Sequence, residues 1–191
     1  MTLCDVIRRI LRPKPRMLAP RGYRKVDAVK FVEALNPRET ITADKLQPAF
    51  ELYSIIIEPY DIASMLNRLV DCVDYSRCFF ADQLYIAYQL ADYGQWLTWS
   101  GISKKPYQEL KHDCDDFALE AKAYLHFEAP MVIPAFGIIW LVEPKLRLAH
   151  ALNLCVAVGS DGVIDAYLYE PQLNEFYRHP SNKWRLYLLL T

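Results

Sequence analysis

The sequence predicts one α+β domain, and three observations predict it: helical apolar spacing in the first part, strand-length β-branched and aromatic runs in the last, and a glycine-flanked turn joining two of those runs. The 191 residues suffice for one well-buried core and require no second domain. With 53% hydrophobic and 24% charged residues, the chain has the balance of a folded protein rather than a disordered one.

Residues 25–35, KVDAVKFVEAL, place Val26, Val29, Phe31, Val32 and Leu35 at three- and four-residue steps. That is an amphipathic helix, and Asn36-Pro37 stops it. Further helices are expected over 42–52, over 60–73 with Pro59 at its head, and over 79–99, ending near Gly101. Residues 54–57 fit a short strand equally well. The pattern changes near Pro130, after which MVIPAFGIIWLV, ALNLCVAV, GVIDAYLYE and KWRLYLLL read as four strands. Gly159-Ser160-Asp161-Gly162 tolerates the positive φ of a tight turn, so the second and third of these strands should be antiparallel neighbours.

A formal net charge of -1 and a pI near 6.4 exclude bulk electrostatic binding to nucleic acid or an anionic membrane. Five cysteines, Cys4, Cys72, Cys78, Cys114 and Cys155, are odd in number and irregular in spacing, which suits a reducing compartment better than a disulfide framework or a zinc ribbon. No apolar run approaches membrane-spanning length, and the start of the chain does not read as a signal peptide. The expectation is a cytoplasmic protein. Arg8, Arg9, Arg12, Lys14 and Arg16, interrupted by prolines, make residues 1–20 a solvated basic arm.

The stretch HDCDDFALEAKAYLHF, from His112 to Phe127, has helical spacing, with Asp113 suited to the N-cap. Cys114 then falls in the first turn, where unpaired N–H groups and the positive end of the helix dipole favour a thiolate. Asp115 and Asp116 oppose that with negative charge, so a cationic partner is required. The alternative for Cys114 is a buried structural thiol. His150 opens the run HALNLCVAV, and a carboxylate follows downstream, which is the chain order of a thiol nucleophile, its imidazole base and an orienting acid. The acid is Glu170 or Asp165. Alternation along GVIDAYLYEP puts the two on opposite faces, so only one can meet His150. His112, His126 and His179 carry no assigned role.

DCDDFA, then HALN, then YLYEPQ, resembles the transglutaminase-like branch of the papain-like cysteine enzymes, in particular short phage and bacterial proteins with a DCDDFA string. The resemblance covers about residues 80–175. It implies a helix-start cysteine packed on an antiparallel sheet, with Cys114 as nucleophile, His150 as base and Glu170, rather than Asp165, as orienter. It further implies a cysteine-dependent amide hydrolase or acyltransferase acting on a protein or peptide-like amide, without metal or organic cofactor. Related readings are a non-catalytic phage-type binding module and a peptidoglycan amidopeptidase. The family pattern has an aromatic residue where Asp115 and Leu152 stand, which speaks against transfer to an amine. Gln108, six positions before Cys114, is a candidate oxyanion-hole donor, and Asn153 and Gln172 are candidate pocket groups.

Overall fold

The apolar runs after Pro130 form the centre of one large sheet. The computed structural model describes residues 20–47, 54–71, 74–108, 111–129, 131–182 and 184–191, so the basic arm lies outside the described residues. In chain order the elements are β1 (Arg24–Lys25), α1 (Ala28–Leu35), β2 (Pro37–Thr42), β3 (Ile55–Ile57), α2 (Pro59–Leu66), β4 (Cys78–Phe79), β5 (Tyr85–Ala87), α3 (Leu90–Ser100) and α4 (Cys114–Phe127). Five strands complete the chain: β6 (Phe136–Glu143), β7 (Leu148–Val158), β8 (Ile164–Glu170), β9 (Glu175–Pro180) and β10 (Arg185–Leu190). The large sheet runs β2-β9-β8-β7-β6-β10-β4, with β1 added beside β7; β3 and β5 pair separately.

Alternation sorts β7 and β8 between two helical layers. Leu152, Leu154, Val156, Ala166 and Leu168 pack with Phe31 and Leu35 of α1 and Ile62 and Leu66 of α2. Cys155, Ala157, Tyr167 and Tyr169 pack on the other side with Tyr93 and Leu97 of α3 and Phe117, Ala121 and Leu125 of α4. The turn at 159–162 joins β7 and β8 as an antiparallel pair, Gly162 at φ +76°.

Several elements depart from the sequence reading. The first helix begins at Ala28 because Asp27 caps it, accepting a hydrogen bond from the Lys30 amide. Where a helix was expected over 42–52, β2 ends at Thr42 and a 3-10 turn takes Ala43–Lys45, the later residues lying outside those described from 48 on. The helix expected over 60–73 stops at Leu66. The long helix expected over 79–99 is broken by β5, because the wholly buried Tyr85 and Ala87 belong to the pair with β3, and Ile86 trades backbone hydrogen bonds with Ile133 and Ala135. Tertiary pairing here overrides local helical spacing. A fifth strand, β9, has no strand signal in the sequence because its run EFYRHP is short, carries Glu175 and Arg178 and ends in proline, yet it bonds to both β8 and β2. Among the described residues, no helix is long and apolar enough to cross a membrane.

Candidate functional site

Cys114 is the first residue of α4, with Asp113 at the N-cap and the Asp113 amide donating to the Asp116 carboxylate at 3.2 Å. The thiol is fully buried among Trp140, Val142, Ala149 and Ala151. Asn153 rivets the helix to the sheet, its amide nitrogen donating to the Ala118 carbonyl at 2.9 Å and to the Gly137 carbonyl at 3.1 Å. Gly137 is required beside it, because a Cβ there would stand 2.8 Å from the Leu190 carbonyl oxygen.

His150 and Glu170 are also fully buried. The imidazole Nε2 lies 2.5 Å from Glu170 Oε2, and Nδ1 lies 2.8 Å from the Val26 carbonyl oxygen. A carbonyl can only accept, and an ionised carboxylate can only accept, so both ring nitrogens carry protons and His150 is an imidazolium. Burial opposes that charge, but Glu170 and Cys114 outweigh it and push the imidazole up to about 10. Cys114 is thus near enough for its charge to favour the protonated ring. Glu170 is held in turn by the Gln172 amide, 3.1 Å from its other oxygen.

The thiol and the imidazole meet at a gap in the sheet. β7 pairs with β1 at Leu148 and Ala149, and with β8 only from Asn153 onward, which leaves its edge bare at 150–152. Cys114 packs with Ala149 and Ala151 on the α4 side, whereas alternation sends His150 to the opposite side, where Phe31 stacks on it at 4.4 Å. A cysteine simply laid over the face that bears its base is therefore not what the chain builds.

The cation demanded by the acidic helix start is Lys25. Its ammonium bonds Asp113 at 3.0 Å and Asp115 more closely still, and sits 5.2 Å above the Trp140 ring. Burial lowers the lysine pKa, the two aspartates raise it, and the net direction is upward. Burial and the hydrogen bond with Asp113 push Asp115 up to about 6, against the pull of Lys25. Asp113 is also penalised by burial, but its hydrogen bonds with Asp115 and Lys25 carry it below the usual carboxylate range. Sequence spacing gave no signal for Lys25, which is 88 residues from Asp113 along the chain.

The remaining candidates divide. Asp165 is held by Arg178 at 2.9 Å and Arg68 at 3.5 Å, on the strand face opposite Glu170, and takes no part in orienting His150. Gln108 is exposed, with its backbone amide bonded to the His112 carbonyl, whereas the Cys114 sulfur is buried. Asn153 is a structural anchor rather than a pocket group. Gln172 contributes its backbone to Glu170, and its side-chain nitrogen is buried without a partner among the described residues.

No protein-family model matches the chain, and no curated protein matches it. Among solved structures, a PSL1a–E64 complex is similar with a TM-score of 0.57 and 21% identity, over 71% of this chain and 51% of that one. A Polyporus squamosus lectin bound to a human-type influenza-binding epitope is similar with a TM-score of 0.48 and 24% identity, over 60% of this chain and 42% of that one. The chain thus spans about half the length of these proteins or less, and the PSL1a likeness is one of fold.

These neighbours correct the family assignment. The similar structure at a TM-score of 0.57 is named PSL1a, not a transglutaminase-like or papain-like enzyme, and no family model supports that branch. The expectations that rested on it are withdrawn: the cysteine hydrolase or acyltransferase with a catalytic triad, the peptide-like amide partner, the peptidoglycan amidopeptidase and the phage-type module. The physical reason is that DCDDFA, HALN and YLYEPQ encode a capped helix start and two strand segments, which fix geometry and leave chemistry open.

Proposed function

We propose that Cys114, His150 and Glu170 form a thiol site that takes a small ligand at the Cys114 sulfur. The observation that carries this is a buried thiol at a helix start whose charge acts on the buried His150–Glu170 ion pair. His150 supplies positive charge near the sulfur, and Glu170 holds that charge on the ring. Trp140 packs in the same cluster as Cys114, and its indole N–H is buried without a partner among the described residues; an oxygen of the ligand would satisfy it.

E64, the molecule named in the PSL1a complex, is the first ligand to test, with iodoacetamide as a second probe; in the latter, a sulfur–carbon bond forms as iodide leaves and the thiol proton passes to solvent. Mass mapping of native protein after long exposure should find the adduct on Cys114, and His150→Ala should slow it about tenfold or more. Adducts on the half-buried Cys78 alone, in native and variant protein alike, would end the proposal. The unpaired Cys78, Cys114 and Cys155 suit a cytoplasmic setting, which we keep within this proposal.

A second reading, glycan binding, has its own observation. A cleft of about 540 Å³ at the turn end of β7 and β8 is lined by Glu39, Gln89, Asp161, Tyr167 and Arg178 among others, a mix of donors and acceptors suited to sugar hydroxyls. Calorimetry with oligosaccharides, native protein against Asp161→Ala, decides it: binding lost in the variant supports the cleft, and no binding to any glycan refutes it.

A further inference from the structure

The thiol site is closed by the chain itself. β1 adds to the edge of β7 immediately before His150, Arg24 pairing with Leu148 and Lys25 with Ala149. Two backbone bonds fix it there, the Arg24 amide to the Arg147 carbonyl at 2.8 Å and the Val26 amide to the Ala149 carbonyl at 3.1 Å, while the Tyr23 amide turns back to the Pro20 carbonyl at 2.9 Å. From that position each successive residue covers one member of the site. Lys25 bonds the two aspartates flanking Cys114, the Val26 carbonyl takes the Nδ1 proton of His150, and Phe31 lies flat on the imidazole. Cys114, His150 and Glu170 are left with no exposed surface at all.

Most of these contacts are of the kind that open without global unfolding. β1 is only two residues long, and its ladder is the shortest kind a sheet can hold. The Lys25 side chain remains 17% exposed, so its ion pairs are partly screened by salt. From Ala28 onward the segment is anchored differently, with Phe31 and Leu35 wholly within the core beside Leu66 and Leu152. A short, weakly paired stretch therefore leads into a firmly packed helix. Local opening is expected to run up to that boundary and stop.

We propose that residues 23–27 are an internal strap, and that a ligand reaches Cys114 only when this strap lifts from the edge of β7. The inference rests on the thiol-site reading above. Lifting withdraws Lys25 from the helix start, frees His150 Nδ1 from Val26, and uncovers the indole of Trp140 over which Lys25 lies. It leaves the His150–Glu170 pair intact, because none of that pair's atoms belongs to the strap.

Two variants loosen the strap by different means. Lys25→Gln removes its ion pairs. Arg24→Pro removes the amide that bonds Arg147 and leaves every charge beside Cys114 in place. With circular dichroism confirming a native fold, each should raise the rate of Cys114 alkylation by iodoacetamide about tenfold, the factor that corresponds to about 1.4 kcal/mol of strap stability. Hydrogen exchange at the Val26 amide in both variants, and at the Arg24 amide in Lys25→Gln, should accelerate by a similar factor while β7 from Asn153 onward stays protected. Lys25→Arg should restore the native rate. The strap is refuted if native Cys114 is alkylated as fast as in both variants, or if those two amides exchange no more slowly than an exposed loop. The other failure is distinct: amides that open in the variants while Cys114 still does not react would keep the strap and overturn the thiol site.

Discussion

Replacing Glu170 by Gln preserves the shape of the buried acid and removes its charge, and the consequences for His150 follow from the geometry. Nε2 lies 2.5 Å from the carboxylate, and both residues are fully buried, so no water replaces the lost partner. Removing one member of a buried pair costs about 3–5 kcal/mol. An independent ceiling comes from the imidazole, pushed from 6.5 to about 10; at about 1.36 kcal/mol per pH unit that distance is worth about 5 kcal/mol. The variant can recover part of the loss by giving up the Nε2 proton and accepting a hydrogen bond from the new amide, while Nδ1 keeps its proton for Val26. We therefore expect a loss of about 3 kcal/mol near pH 7. Because the folded value lies above the unfolded one, the stabilisation in the native protein is complete below pH 6.5 and is lost as pH rises through about 10. The difference between native protein and Glu170→Gln, read from urea midpoints at pH 6, 8 and 10.5, should be largest at pH 6, fall by pH 8 and be smallest at pH 10.5. A difference below about 1 kcal/mol at pH 7, or one that does not change by pH 10.5, would refute the buried imidazolium.

Three further outcomes test the framework around the pair. Asn153→Ala strands the carbonyls of Ala118 and Gly137 and should cost about 2–3 kcal/mol in urea unfolding, with α4 the region whose amide exchange rises most. Gly137→Ala should lower the thermal midpoint by an amount equivalent to about 1–3 kcal/mol, because its Cβ would meet a Thr191 methyl at 2.9 Å and the Leu190 carbonyl oxygen at 2.8 Å, the latter a backbone atom held in the sheet. Asp115, raised from 3.8 to about 6, contributes stability that is present below pH 3.8 and lost as pH rises through 6, so Asp115→Asn should gain on the native protein between pH 4 and pH 7 in matched urea titrations; parallel curves would contradict that sign.

Legibility in the sequence followed the range of the interactions. The capped start of α4, the antiparallel pair around 159–162 and the opposite faces of Asp165 and Glu170 all depend on neighbours a few residues apart, and all could be read from spacing. The helices over 79–99 and 60–73 could not. Tyr85 belongs to a strand because β3 lies beside it, and residues after Leu66 turn away because Asp71 bonds to Trp184 and pairs with Arg185, contacts that local periodicity does not encode. The same holds within the site. Strand alternation showed that only one of Asp165 and Glu170 could meet His150, and the choice of Glu170 rested on the family resemblance, whereas Lys25 was foreseen only as a missing positive charge.

That missing charge indicates how the site and the fold depend on each other. Three acidic residues at a helix start beside a buried thiol are unfavourable in isolation, and the remedy arrives from 88 residues upstream as part of an edge strand. The same strand delivers the Val26 carbonyl to an imidazole 124 residues away and leads Phe31 onto its face. One short segment therefore neutralises the helix start, fixes the second proton on His150 and excludes water from both. A segment that only stabilised the fold would need to touch just one of these groups. Its convergence on Asp113, Asp115 and His150 together ties the state of the site to the position of β1, so that any change moving Lys25 alters the charge beside the sulfur and its access to solvent in a single step.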